Sequence, residues 1–235
     1  MTRFIPSSIA IPALLAVFSA GAALASGPTE PVYQPPMTVA APIATYDWGG
    51  AYVGVTIASP TGDNFWAERS VGGTANPDDW SGHPWGVTFG YDMQSGPMVY
   101  GAAFDYSGST LEAHGTTSGT FGCSLSNDCS TEVSDVYNLR GRIGRAFDRT
   151  LVYGTLGFAS GAATGTATAT AGSDRLNGWV AGLGVEHALT NSFSVNLEYL
   201  HTDLGRLELP GGGCSADCFT DVAYGQVRLG ANFRF

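Results

Sequence analysis

The stretch "VRLGANFRF", Val227–Phe235, carries an apolar side chain at every second position: Val227, Leu229, Ala231, Phe233 and Phe235. Arg228, Gly230, Asn232 and Arg234 fill the gaps. A period of two describes a strand with two unlike faces. Chain ends are usually frayed and polar, so a strand ending on aromatic residues raises the question of which solvent its apolar face meets.

The same period returns along the chain in "WGGAYVGVTIAS", "PWGVTFGYDMQ", "MVYGAAFDYS", "VYNLRGRIGRAF", "LVYGTLGFAS", "LNGWVAGLGVEHAL" and "FSVNLEYLHT", and the last segment extends back to "AYGQVRLGANFRF". That makes eight segments, each about the nine to eleven residues with which a tilted strand crosses a hydrocarbon layer. Short links join some of them ("SGP", "DRT", "TNS") and alternate with long ones: Pro60 to His83, Gly108 to Asp135, Gly161 to Arg175 and Asp203 to Val222. Strict alternation puts every long link at one end of the strands, as in a membrane barrel with tight turns on one side and long loops on the other. An even strand number closes the sheet and leaves no edge unpaired, which lipid requires because it offers no hydrogen bonds.

The two faces sort consistently. Tyr100, Ala102, Phe104 and Tyr106 oppose Gly101, Ala103 and Asp105, and Trp179, Ala181, Leu183 and Val185 oppose Gly182, Gly184 and Glu186. Val195, Leu197 and Tyr199 oppose Asn196 and Glu198, while Val87, Phe89, Tyr91 and Met93 oppose Thr88, Gly90 and Asp92. Val53, Val55 and Ile57 point outward together. One face reads as apolar and the other as small or charged. A soluble β-barrel would spread charge over its outer face, whereas small residues suit the crowded interior of a narrow barrel. The apolar side is therefore expected to face lipid.

Composition agrees. The 235 residues include 33 Gly and 11% aromatics but only 13% charged residues, and all ten basic residues are Arg. A net charge of -10 excludes a nucleic-acid partner, because phosphate neutralisation needs a basic surface. Met1–Arg3 and the apolar run Ile9–Leu24, followed by Ala23-Leu24-Ala25, read as a cleaved export signal over residues 1–25. Pro12 and Gly21 break that run, which argues against a membrane anchor. Residues 26–46, with Pro28, Pro31, Pro35, Pro36 and Pro42, read as an extended periplasmic leader, and the folded barrel is expected over 47–235.

"YDWGGAYVGV", "VYGAAFDYS", "GVEHAL", "LEYLHTDLG" and "VRLGANFRF" together resemble the small outer-membrane surface antigens of Gram-negative bacteria, an OmpA-like or porin-family β-barrel domain. The resemblance runs from Trp48 to Phe235. It implies an all-β, eight-stranded antiparallel transmembrane barrel in the outer membrane, with short periplasmic turns and four long extracellular loops. It also implies that the aromatic end, Phe233 and Phe235, is similar to the signal read by the barrel-assembly machinery. Two Cys pairs in the loops depart from the family pattern, and no peptidoglycan-binding segment follows within these 235 residues. The resemblance therefore carries no expectation of tethering to the cell wall.

Chemistry concentrates on the inner face. Asp92, Asp105, Glu186 and Glu198 share it with Arg140, Arg142, Arg228 and Arg234, four acids against four guanidinium groups. Groups confined in so narrow a bore are expected to pair, either as a plug or as a gate over a narrow ion path. The net negative charge then resides in the loops, at Asp63, Glu68, Asp78, Asp79, Glu112, Asp128, Glu132, Glu208, Asp217 and Asp221. These acids keep the surface soluble or hold divalent cations against lipopolysaccharide phosphates, and they lack the spacing of a calcium loop. Cys123, Cys129, Cys214 and Cys218 suggest two disulfides in an exported chain, local pairing being the first choice among three connectivities. Their spacing does not suit zinc, and no metal or cofactor is expected.

His187 and His201 fall on the outward face, and no base and orienting acid flank Ser160 or Ser194 as a hydrolase would need. The expectation is a structural and surface-presenting outer-membrane protein, not an enzyme, in contact with lipid and lipopolysaccharide and open to host or environmental ligands. A porin-like conduit or loop-based binder of small solutes is the alternative, and a lipid-modifying enzyme the third reading.

Overall fold

A computed structural model describes residues 46–68, 78–108, 110–115, 129–167, 170–209 and 218–235. Among these residues eleven strands form in chain order: β1 (Gly50–Thr61), β2 (Asp63–Glu68), β3 (Asp78–Asp79), β4 (Trp85–Ser95), β5 (Met98–Ser107), β6 (Leu111–Gly115), β7 (Cys129–Phe147), β8 (Thr150–Ala167), β9 (Thr170–Ala188), β10 (Phe193–Leu209) and β11 (Cys218–Arg234). All named pairings are antiparallel. The ladder runs β1-β4-β5-β7-β8-β9-β10-β11 and returns to β1 through Tyr52↔Arg234 to Thr61↔Gly225, so among the described residues eight staves close into a ring. β2, β3 and β6 sit on the long-loop end, where β2 pairs β11 and β6 pairs β7. At the other end the turns are tight. Gly96 (φ 58) and Asp148 (φ 53) take the left-handed conformation that such reversals need, which Gly and Asp tolerate.

The alternation read from the sequence sets the faces. On β11 Val227, Leu229 and Ala231 are exposed while Arg228, Asn232 and Arg234 are buried. On β9 Leu183 is 72% exposed and Glu186 is 0% exposed. Water would drive both the other way, so this polarity marks a belt built for hydrocarbon.

Two expectations are corrected. The inner face is not only small or charged: Tyr52, Val99, Leu151, Tyr153, Val180 and Leu200 are buried there too. And the long links are shorter than the sequence suggests. β7 to β11 have 17 to 19 residues each, and most of Gly161 to Arg175 is β8–β9 hairpin. The physical reason is a reversal of polarity above the belt. There the inward side chains are apolar (Val133, Ala163, Leu176, Leu207, Leu209) and the outward ones polar (Glu132, Thr164, Ser173). A search for apolar residues facing outward loses the strand at that boundary.

Candidate functional site: a stacked charge network in the bore

Arg140 and Arg142 are two residues apart on β7, so they share the inner face at two heights about 7 Å apart along the strand. Each organises one layer. In the layer nearer the short turns, Arg142 donates through Nε to Asp92 Oδ1 at 2.9 Å, through Nη2 to Asp92 Oδ2, and through Nη1 to Glu186 Oε2 at 2.9 Å. Arg234 Nη2 lies 3.0 Å from the same Asp92 and 3.7 Å from Glu186 Oε1. The four groups thus form a closed ring of alternating sign. In the layer above, Arg140 donates to Asp105 Oδ2 at 2.7 Å and to Glu198 Oε1 at 2.6 Å. Arg228 closes that ring, 3.1 Å from Asp105 and 3.9 Å from Glu198.

Neutral groups take up further lone pairs and protons, while the buried Arg234 Nε is left without a partner among the described residues. Thr88 donates to Asp105 at 2.7 Å, and Arg140 and Arg228 reach Thr155 and Thr56 at 3.2 and 3.1 Å. Ser194 and Asn232 donate to Glu186 at 2.5 and 3.0 Å. The Arg142 guanidinium lies between the rings of Tyr52 and Tyr153, 5.1 and 4.8 Å from their centroids, within cation–π range. Arg234 lies over Tyr52 at 5.0 Å and donates to the Trp48 carbonyl, tying the last strand to the residues before the first. Two inner glycines make room for these rings. A Cβ at Gly90 would overlap Tyr52, and one at Gly184 would come within 2.5 Å of Tyr153 Cζ.

All eight charged residues are buried. Removing a charge from water costs several kcal/mol per ion, an expense offset only by good geometry and satisfied hydrogen bonds. Both rings sum to zero charge and their carboxylates are hydrogen-bonded, with the Arg234 Nε the unsatisfied exception among the described residues. Apolar tiers lie beyond them. Tyr46, Trp48, Val99, Leu151 and Ala188 pack at the short-turn end. Trp80, Leu111, Val136, Val180, Leu200 and Leu204 belong to a larger core at the long-loop end, where the Trp80 indole donates to the Ala223 carbonyl at 3.2 Å. The interior cavities beside Asn138 and Asn196 measure ≈ 20 and ≈ 10 Å³, room for about one water each.

The structure brings together Asp92, Asp105, Arg140, Arg142, Glu186, Glu198, Arg228 and Arg234. It does not assemble a hydrolase site from the other candidates. His187 contacts Thr150 at 3.0 Å on the outer surface, and the His201 ring lies tilted against that of Trp179, with centroids 5.3 Å apart. Ser194 points inward to Glu186, and Ser160 is half-buried on the outer parity. Phe233 packs between Phe193 and Phe235, with centroids 5.0 and 5.1 Å away, at the short-turn rim. Cys123 and Cys214 lie outside the described residues, as do the side chains of Cys129 and Cys218 and all of residues 1–45. Sequence reasoning missed the aromatic partners Trp48, Tyr52 and Tyr153. Parity places Tyr52 inward once Val53 and Val55 face out, but aromatic residues in such strands are first read as interface belts.

The outer membrane protein beta-barrel domain family matches residues 12–235. The chain is 30% identical over 250 residues to a 31 kDa outer-membrane immunogenic protein of Brucella melitensis, covering 97% of this chain and 99% of that one. It is 27% identical over 236 residues to a 25 kDa outer-membrane immunogenic protein of Brucella abortus, covering 99% and 100%. Among solved structures it is similar to the attachment invasion locus protein of Yersinia pestis, with 15% identity, a TM-score of 0.46, and coverage of 80% and 99%. With its lipid-facing belt, closed antiparallel ring and these relatives, the chain belongs to the outer membrane protein beta-barrel domain family and is a β-barrel of the Gram-negative outer membrane.

Proposed function

We propose that the barrel is a sealed structural element of the outer membrane that presents its long loops to the surroundings, and that its bore is a plug. The single observation supporting this is the pair of closed, charge-neutral rings between two apolar tiers. A conduit for ions or solutes needs a hydrated path, and the two bore cavities beside the rings each have room for about one water among the described residues. In this reading Phe233 and Phe235 are presented to the assembly machinery from the outer face of the final strand. The loop acids face lipopolysaccharide and the surface ligands of a host or habitat. Local disulfides, Cys123 with Cys129 and Cys214 with Cys218, stiffen the two loops that hold them. Residues 1–25 are removed on export, and residues 26–46 remain in the periplasm. The non-catalytic reading is supported by Ser194, whose hydroxyl donates to Glu186 inside the charge ring and not to a histidine.

The test is reconstitution of heat-modifiable, folded protein in planar bilayers. A sealed barrel leaves the membrane at baseline conductance. Steady ohmic steps that vanish when Arg140 and Arg142 are neutralised would replace the plug by a conduit.

A further inference from the structure

A recess of ≈ 760 Å³ opens on the outer face of the barrel, across β5, β7, β8 and β9. Its outward floor is Ala102, Gly141 and Gly154: Ala102 pairs with Gly141, and Gly154 pairs with Ile143, the next outward residue of β7. Tyr91 and Tyr100 rise on one side of the floor and Leu156 and Leu183 on the other, all exposed. A groove of this size matches the clefts that hold small ligands.

The two outward glycines have no cause inside the fold. Inner glycines such as Gly90 and Gly184 make room for tyrosine rings, but a Cβ at Gly141 would have its nearest neighbour at 3.8 Å, the Leu156 carbonyl oxygen. One at Gly154 would meet Leu183 Cδ2 at 3.5 Å. Both are ordinary contacts. Neither glycine has a positive φ, and the β7–β8 register runs unbroken from Tyr137 to Phe147 on one strand and Thr150 to Ser160 on the other. Glycine weakens a strand interior, and where it serves no bulge or bend it marks the close approach of something from outside. On this face the outside is hydrocarbon, so the occupant is an acyl chain.

Arg145 says which lipid carries that chain. It is the next outward residue of β7 after Ile143, on the short-turn side of the recess, flanked by Met98 and Val152. Its exposed guanidinium makes no ion pair or hydrogen bond among the described residues and rests 5.5 Å from the centroid of Phe147, one outward position nearer the turn. A cation at the edge of an apolar belt sends its head toward the interface and leaves its stem on the apolar surface. From Gly141 to Arg145 is four residues, about 13 Å along the strand and about 10 Å in depth at a tilt of roughly 40°. That is most of one leaflet's half of an apolar band about 25 Å tall. The recess and the cation therefore stand where the chain and the phosphate of one periplasmic-leaflet lipid would lie.

The neighbouring charged groups at this end are Asp148, Arg149 and His187. Arg149 donates to the Ala188 carbonyl at 3.4 Å and to Asn191 Oδ1 at 3.3 Å, and His187 is 3.0 Å from Thr150. Asp148 is exposed in the turn and forms no ion pair with Arg145. With that acid near by in sequence, the attraction is for a phosphate, which every glycerophospholipid carries, and not for net negative charge.

We propose that the recess over Gly141 and Gly154, together with Arg145, is a binding site for a glycerophospholipid of the periplasmic leaflet, one acyl chain lying in the groove and the phosphate pairing with the guanidinium. This rests on the outer face meeting lipid and on the short turns facing the periplasm. It does not depend on the bore being sealed, so conductance in bilayers leaves it untouched.

The experiment titrates the full folded protein in detergent micelles with dioleoyl-phosphatidylethanolamine, or with dioleoylglycerol, which has the same chains and no phosphate. Bound lipid is counted by native mass spectrometry. The parent should saturate with one phospholipid and bind dioleoylglycerol less tightly. Gly141→Leu/Gly154→Leu, for which the groove has space, should keep heat-modifiable mobility and lose saturable binding. Arg145→Gln should bind the phospholipid roughly threefold more weakly, the loss of one exposed ion pair, and should no longer prefer it to dioleoylglycerol; Arg145→Lys should retain the preference. Because Arg145→Gln changes only an exposed side chain, it reads the site even where the leucines disturb folding. Adducts that grow without saturation and equally in every variant would mean ordinary contact with surrounding lipid, and would overturn the proposal. So would equal affinity of the parent for the two lipids, or undiminished binding by a folded protein whose groove is filled.

Discussion

Replacing Arg142 by Met removes one of the two positive charges of the periplasmic-side ring and leaves Asp92, Glu186 and Arg234, a net charge of -1 in a buried layer. The loss includes three hydrogen bonds to carboxylates and the stacking between Tyr52 and Tyr153. An uncompensated buried charge costs on the order of 3–5 kcal/mol, a large part of the stability of a domain. Adding Asp92→Leu should restore most of it. Arg234 and Glu186 then remain as one neutral pair, already 3.7 Å apart, and an apolar replacement of a buried pair is near neutral, within about 1–2 kcal/mol of the parent. The assay is reversible denaturant unfolding in detergent micelles or lipid vesicles, followed by tryptophan fluorescence, for the parent, both single variants and the double variant. A double-mutant cycle isolates the coupling. An Arg142→Met protein as stable as the parent, or a double variant as unstable as the sum of the singles, would refute a tightly paired, water-poor ring.

Three further outcomes are expected. Gly184→Val should displace the Tyr153 ring and cost about 1–3 kcal/mol by overpacking, seen in the same unfolding assay. Leu183→Arg, on the exposed face of β9, should cost about 2–4 kcal/mol if that face meets the middle of the bilayer, and little if it meets water. Leu200→Ala, in the buried apolar core above the charge rings, should cost about 2–5 kcal/mol without opening conductance, because both charge rings remain below it.

Much of the site was legible because a strand's parity is a local property. "VRLGANFRF" places Arg228 and Arg234 on one face whatever the rest of the chain does, and the same holds for Arg140 and Arg142 in "NLRGRIGR". Which carboxylate each guanidinium meets was not legible. Arg140 reaches Glu198 on β10 and Arg142 reaches Asp92 on β4, across the bore, and that choice depends on the stagger of the closed sheet. The strand extensions above the belt escaped for a different reason. In "GAATGTATATAGSD" the contrast between faces is weak, and its sense is opposite to that of the belt. Tyr46, read from composition as the end of the leader, packs edge-on against Trp48 at 4.7 Å, a contact that exists only once the barrel floor has formed.

The orientation of the two faces is tested most directly by tryptophan quenching in vesicles of lipids brominated on their acyl chains near the headgroup, using variants that each retain one tryptophan. Trp85 and Trp179 are 53% and 44% exposed, whereas Trp48 and Trp80 are 0% and 4% exposed. The first two should be strongly quenched and the second two should keep their emission. Quenching of Trp48 and Trp80 with sparing of Trp85 and Trp179 would mean that the greasy side is turned inward, and the sealed, lipid-facing barrel described above would be wrong.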